Sequence, residues 1–239
     1  MEPEIQYKPI VDREQPGSHT NTLFIVEPFA ELFTSDNYEI QMQYARMGLL
    51  HAESSCFVRE SVKKRIEDAI TFLPDGLKIR ILDAWRPFKL QEELYKKYYD
   101  RIVRMHGLID FDNKRKIDVV TKYVSYPDYD RNFPPVHTTG GAIDVTLIDK
   151  GGIELNMGTC FDDLTNKAHT CYYEVHEENI DVRNNRRILY HAMIKAGFTN
   201  FPSEWWHYDY GDKFWGYYKQ CPALYRGVFD RSELNAQEE

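Results

Sequence analysis

The chain has four cysteines, Cys56, Cys160, Cys171 and Cys221, and no two of them stand in a Cys-x-x-Cys spacing. That spacing suggests neither a disulfide framework nor a thiolate zinc site, and the four read as reduced structural thiols. An excess of basic charge is also missing: 30 Lys and Arg against 38 Asp and Glu leave a net charge of -8. Nucleic-acid binders need the opposite sign to neutralise phosphates, so a nucleic-acid partner is not expected. No apolar run approaches the roughly 20 residues that span a bilayer. The opening Met1-Glu-Pro-Glu-Ile-Gln has neither a basic n-region nor an apolar h-region, so no membrane partner and a cytoplasmic location are the expectation. No tract is dominated by one residue type, and no repeat occurs at any period, which argues against collagen-like, low-complexity and wholly disordered chains.

What is present is an ordinary globular composition. The 239 residues, 42% hydrophobic, suffice for one sizeable core and are too few for two independent ones. The expected organisation is an irregular arm over 1–20, carrying Pro3, Pro9, Pro16 and Gly17, followed by a single domain over 21–239. Strands are expected at Thr22–Glu27 and at Tyr38–Tyr44, where Tyr38, Ile40, Met42 and Tyr44 alternate with polar neighbours. From Ser55 the spacing of Val58, Val62, Ile66, Ala69 and Ile70 predicts a helix stopped by Pro74 and Gly76. A strand over Lys78–Trp85 leads to a helix that starts at Pro87, carries the stripe Leu90, Leu94, Tyr98, Ile102 and Met105, and ends before Gly107. Asp118–Gly141 reads as a long loop and Ala142–Ile148 as a buried strand. A helix over about Asn184–Ala196 and a strand over Trp205–Tyr210 follow. The fold class is therefore α+β, with helices packed on a mainly antiparallel sheet.

Three short segments concentrate residues that are costly to place without a purpose. In His137-Thr-Thr-Gly140-Gly141-Ala142-Ile143-Asp144 the paired glycines allow a tight turn, so the His at the loop end can fold back beside an Asp on the next strand. In Glu204-Trp205-Trp206-His207, residues i and i+3 of a regular strand face opposite sides, so Glu204 and His207 share a site only if the chain turns at the tryptophans. In Asp83-Ala84-Trp85-Arg86-Pro87, the proline pins Arg86 in extended backbone at a strand-to-helix turn. From there a guanidinium can bind an oxyanion or simply pair with Asp83. Taken singly, each segment also fits a structural role. Together they supply two imidazoles and a carboxylate for zinc with a fourth position open to water, a Glu as general base and an Arg as electrophile.

The pattern His-x-x-Gly-x-Ala-x-Asp at 137–144, Glu-x-Trp-His at 204–207 and the upstream Arg86-Pro87 resembles the zinc D,D-peptidases that share the hedgehog-type fold. Glu204-Trp-Trp-His-Tyr208, Met157-Gly-Thr-Cys-Phe-Asp162 and Asn184-Asn-Arg-Arg187 resemble the D-alanyl-D-alanine dipeptidases among them, including the vancomycin-resistance type. The resemblance runs from about Tyr38 to Tyr210. It implies one zinc ion per chain held by His137, Asp144 and His207, with Glu204 taking the proton from the attacking water and Arg86 stabilising the tetrahedral intermediate. It further implies that Asp162 holds the ammonium of a small dipeptide substrate and that Tyr44, through Tyr44-Ala45, lines the same pocket. Two departures stand out: Pro135 occupies the position of a family Ser, and Arg46-Met-Gly-Leu-Leu50 replaces the family stretch after the Tyr-Ala pair.

A D,D-carboxypeptidase acting on peptidoglycan stem peptides is the close alternative, and Asp162 argues against it because an ammonium anchor demands a free N-terminus. A non-catalytic binding module with structural zinc is the alternative of another class; such a site needs neither Glu204 nor Arg86. His169, Cys171, His176 and Glu177 cluster in sequence without a recognised ligand spacing.

Overall fold

A computed structural model describes residues 5–17, 21–176 and 178–234; residues 1–4 and 18–20 of the expected arm, with His19, and Glu177 lie outside the described residues. The elements run β1 (Phe29–Leu32), β2 (Tyr38–Ile40), α1 (Gln43–Arg46), β3 (Cys56–Arg59), α2 (Glu60–Thr71), β4 (Lys78–Asp83), α3 (Phe88–Met105), α4 (Asn113–Val120), β5 (Ala142–Ile148), α5 (Tyr172–Val175), α6 (Ile180–Lys195), β6 (Thr199–Asn200), β7 (His207–Asp209) and α7 (Lys213–Lys219). The main sheet has the order β2-β4-β5-β7-β6 and is antiparallel except for the β2/β4 pair, and β1 pairs with β3 in a small antiparallel ribbon. This is the α+β, mainly antiparallel architecture that the sequence indicates. No described helix is long and apolar enough to cross a membrane.

The alternating side chains of β5 divide the molecule. Ile143, Val145 and Leu147 enter a core with Ile79 and Ile81 of β4, Val62, Ile66 and Ala69 of α2, and Leu189 and Met193 of α6. Asp144 sits on the opposite face. A second cluster joins Leu90, Leu94, Tyr98 and Ile102 of α3 to Val120, Leu164 and Tyr44. The site described below lies between the two.

Several local expectations shift, each for a visible reason. The Tyr38–Tyr44 alternation spans two elements, because Met42 is buried in the first core and Tyr44, on α1, in the second. The period reported burial on two sides and not one strand. Thr22–Glu27 joins no sheet: the Leu23 and Ile25 amides donate to the Ala223 and Leu224 carbonyls at 2.8 Å each, but Leu23 and Val26 stay exposed. The chain from Cys56 to Arg59 is β3 before α2 begins, and α4 occupies the start of the expected long loop. α4 escaped notice because its one buried side chain is Val120; its start is fixed by Asp112, whose Oδ1 accepts the Arg115 amide at 2.9 Å. The polar run Tyr172–Asn179, whose composition reads as a solvated loop, opens with α5, whose Tyr173 is buried.

The arm residues that are described pack against the body. The Ile10 amide donates to Glu174 Oε1 at 3.0 Å, Tyr218 donates to the Glu14 carbonyl at 2.7 Å, and His191 Nε2 reaches the Lys8 carbonyl at 2.8 Å. All four cysteines are free thiols.

Ile66 is fully buried where α2 meets α6, whereas Leu50 is 81% exposed. Ile66→Ala should cost about 2–5 kcal/mol and Leu50→Ala less than about 0.5 kcal/mol. A lower denaturant midpoint at unchanged slope for the first variant alone is the expected result.

Candidate active site

Three adjacent strands bring their polar residues into line. The register pairs Asp83 of β4 with Asp144 of β5, and Asp144 with His207 of β7. A bulge between Ile81 and Asp83 lies at this end of β4. His137 arrives from a short 3-10 turn, Val136–Thr139, which is closed by Gly140 at φ +75° and leads directly into β5. The next residue, Gly141, lies against the Tyr210 carbonyl, and a Cβ there would collide with it. The paired glycines thus do two jobs: one reverses the chain, and the other lets β5 and β7 approach.

The donor atoms that result face one another. His137 Nε2 lies 3.1 Å from His207 Nδ1, and His207 Nδ1 lies 3.0 Å from Asp144 Oδ1. His137 Nε2 is 3.5 Å from Asp144 Oδ2. The outward nitrogens are already engaged: His137 Nδ1 lies 2.9 Å from the Ala84 carbonyl, and His207 Nε2 lies 2.8 Å from Asp209 Oδ1. Donating those two N–H groups outward leaves an unshared pair on each inward nitrogen, so two lone pairs and a carboxylate converge on one point. Tetrahedral zinc, with bonds of about 2.0–2.2 Å, requires donors roughly 3–3.5 Å apart, and these donors meet that spacing. Among the described residues this is the one group of three or more potential ligands; His169, Cys171 and His176 form none.

The electrostatics point the same way. Burial alone would lower the His207 pKa, yet the charge of Asp209 and hydrogen bonds to Asp144 and Asp209 hold it well above the ordinary value. Burial alone would raise Asp144, yet the two imidazoles hold it well below the usual carboxylate range. The cluster therefore draws positive charge to its centre. Behind it, Asp209 and Asp212 are both fully buried, and each has one carboxylate oxygen with no further partner. Burial first, then the charge of Asp209, pushes Asp212 far above its usual range.

Around the cluster, Arg86, Glu204, Asp162 and Tyr44 line the same small cavity as His137, Asp144 and His207. All seven residues singled out in the sequence are thus brought together. Arg86 donates from Nε and Nη2 to Asp83 Oδ2 at 2.9 and 2.7 Å, and from Nη1 to Gln91 Oε1 at 2.7 Å. The salt bridge to Asp83 is therefore formed, and it clamps the guanidinium without using it up. Arg86 Nη2 also lies 3.8 Å from Asp144 Oδ2, and its guanidinium carbon is 5.1 Å from the centre of the Tyr44 ring. The chain does turn at the tryptophans: the Glu204 amide donates to the Phe201 carbonyl at 3.0 Å and the His207 amide to the Glu204 carbonyl at 3.3 Å. This turn brings Glu204 Oε2 to 3.9 Å from His207 Nδ1. Desolvation in the cavity wall pushes the Glu204 pKa up to about 8. Burial likewise raises Asp162, while hydrogen bonds from Tyr98 and Tyr44 oppose the rise. The Tyr98 hydroxyl donates to Asp162 Oδ2.

Sequence reasoning gave no role to Tyr98, Gln91 or Asp209. Tyr98 was absorbed into the apolar stripe of α3, where its ring does pack while its hydroxyl reaches the site. Asp209 lies on the expected strand Trp205–Tyr210, two residues beyond His207, and that period-2 spacing is the signal that links the two. Pro135, at the position of the family Ser, caps the turn that carries His137; its carbonyl accepts the Thr138 amide at 3.0 Å and the Thr138 hydroxyl at 2.7 Å.

Comparison with known proteins bears on this geometry. The peptidase M15 family model, described as D-ala-D-ala dipeptidase, matches residues 28–225. A D-alanyl-D-alanine dipeptidase of Synechocystis sp. is 31% identical over 191 residues, covering 73% of this chain and 77% of the relative. One from Escherichia coli is 26% identical over 177 residues, with 72% and 78% covered. One from Enterococcus faecium is 28% identical over 183 residues, with 65% and 87% covered.

Because Asp209 fixes which nitrogen of His207 faces inward, Asp209→Ala should lower divalent-metal affinity by about 10–100-fold, the usual effect of removing such a partner. Competition against a chromophoric chelator measures it, and unchanged affinity would show that His207 is oriented by something else.

Proposed function

The chain belongs to the peptidase M15 family of D-Ala-D-Ala dipeptidases, which are metallopeptidases, and from that membership we propose that it hydrolyses the peptide bond of D-Ala-D-Ala or a similar free dipeptide with one zinc ion per chain. Zinc would be held by His137 Nε2, His207 Nδ1 and an Asp144 oxygen, and when bound it supplies an acidified water and polarisation of the scissile carbonyl. The observation that carries the reading is the joint presence, in one cavity, of the donor cluster, a clamped guanidinium, a carboxyl with a pKa near neutrality and a second carboxyl held by tyrosines.

Each residue then has a task. Asp162, oriented by Tyr98 and Tyr44, binds the substrate ammonium, which fixes the scissile carbonyl of the same residue. Three of the five N–H groups of Arg86 are spent on Asp83 and Gln91, leaving two for the oxygen that gains charge as the carbonyl is attacked. Rigid clamping matters here because a preorganised donor needs no reorganisation at the moment of reaction. Glu204 accepts the proton of the attacking water and returns it to the departing amine, and a pKa of about 8 suits both transfers. A structural metal site would need neither Glu204 nor Arg86, and a carboxypeptidase acting on long stem peptides would not place a carboxylate where the substrate N-terminus must end.

Glu204→Gln should keep its zinc and its fold and lose about 10²–10⁴-fold in kcat. Wild-type protein should cleave free D-Ala-D-Ala at least on the order of a hundredfold more efficiently than N-acetyl-D-Ala-D-Ala, since capping leaves Asp162 buried without its partner. Near-normal turnover in the variant would move the base elsewhere, and equal efficiency on the two substrates would favour the carboxypeptidase.

A further inference from the structure

The segment Asn184-Asn-Arg-Arg187 has no part in the chemistry above, yet it holds one of the most unusual side chains in the molecule. Arg186 is 2% exposed, and none of its hydrogen bonds goes to a carboxylate. Its three nitrogens each serve a different backbone carbonyl: Nε donates to Met157 at 2.8 Å, Nη1 to His169 at 2.7 Å and Nη2 to Lys167 at 2.8 Å. Its flanks are aromatic, with ring centres of Tyr173 and Trp205 at 4.8 and 5.8 Å from the guanidinium carbon. A buried cation is expensive to desolvate, and burial lowers the Arg186 pKa to about 10. An apolar side chain of similar size would fill the space at less cost, but it could not gather three carbonyls.

Those carbonyls mark the two ends of one loop, and Asp162 lies between them. Residues 158–164 lie in no helix or strand. Asp162 adopts φ +66° in a turn, the left-handed region that Asp tolerates better than most non-glycine residues. The next residue back, Phe161, packs its ring 5.4 Å from Tyr44 and 5.6 Å from Trp206. Asn185 adds a tie at the loop start, Nδ2 donating to the Asn156 carbonyl at 3.0 Å. Helix α6 therefore does for this loop what a strand partner would do elsewhere.

We propose that Arg186 is a positioning residue for substrate binding: by stapling both ends of the 157–169 loop to α6, it holds Asp162 where it meets the substrate ammonium. The proposal rests on the reading of Asp162 as the ammonium partner. Arg186 lies behind the loop, touches no reacting atom and has no part in proton transfer. Its loss should therefore weaken recognition of the free N-terminus and leave the metal and Glu204 in place.

The test compares zinc-loaded wild type with Arg186→Lys, which keeps the charge but cannot reach three carbonyls, and with Asn185→Ala, a milder loosening of the same loop in case the first variant does not fold. Zinc affinity, kcat and KM for D-Ala-D-Ala, and the preference for D-Ala-D-Ala over its N-acetyl form, are measured for each. Arg186→Lys should raise KM on the order of tenfold or more with kcat nearly kept, narrow the preference for the free dipeptide, and leave zinc affinity unchanged. Asn185→Ala should move the same quantities in the same direction by less. If wild type prefers the free dipeptide and a folded variant keeps both its KM and that preference, or loses kcat on both substrates equally, Arg186 does not position Asp162. If wild type shows no preference for the free dipeptide, the reading of Asp162 falls and this proposal falls with it.

Discussion

Two imidazole lone pairs and a carboxylate, buried and held 3.0–3.5 Å apart, repel one another unless something positive sits between them. Everything near the site can be understood as a means of imposing that unfavourable arrangement. The register of β4, β5 and β7 aligns Asp83, Asp144 and His207, and the Gly140-Gly141 turn delivers His137 beside them. The Ala84 carbonyl and Asp209 take the outward N–H groups, so that neither ring can turn its lone pair away. The hydrophobic core beneath the sheet supplies the stability that such a cluster draws down. This is why strongly apolar β5 carries one carboxylate, on the face turned away from α2 and α6.

The carboxyl groups around the cluster are kept in different states by their surroundings. Two imidazoles pull the Asp144 pKa well below the usual carboxylate range, burial beside Asp209 pushes Asp212 far above it, and desolvation in the cavity wall raises Glu204 to about 8. Under the proposed function the same chemical group would serve as ligand, as support and as proton carrier, with local charge and burial deciding which. Arg86 is held by Asp83 and Gln91 in one orientation, so the ordinary explanation of an Arg beside an Asp and the functional one describe a single arrangement.

The fold class and the three segments that carry Arg86, His137, Asp144, Glu204 and His207 are legible in the sequence through short-range rules, whereas Asp162 and Tyr44 enter only through the family resemblance. A Gly-Gly turn, a proline after Arg86 and an Asp on an apolar strand restrict the chain locally, and the segments that contain them carry most of the site. What escaped depends on long-range packing. Tyr98 looks like any member of an apolar stripe until its hydroxyl is found on Asp162, and the Arg186 side chain has no sequence neighbour among the carbonyls it gathers. The resemblance puts Tyr44 in the pocket while the alternation puts it on a strand, because alternation cannot tell one buried face from two cores on either side of a bend. The polar helix α4 went unseen for the converse reason, since it buries almost nothing.

The converging donors of His137, Asp144 and His207 would form the metal centre of this chain. Anomalous diffraction across the zinc absorption edge, on crystals of the full chain equilibrated with zinc, tests it most directly. The account predicts one ion per chain, bound by His137 through Nε2, by His207 through Nδ1 and by an Asp144 oxygen, with the outward nitrogens still on the Ala84 carbonyl and Asp209. An ion bound at other residues, or bound here through the opposite ring nitrogens, would contradict it.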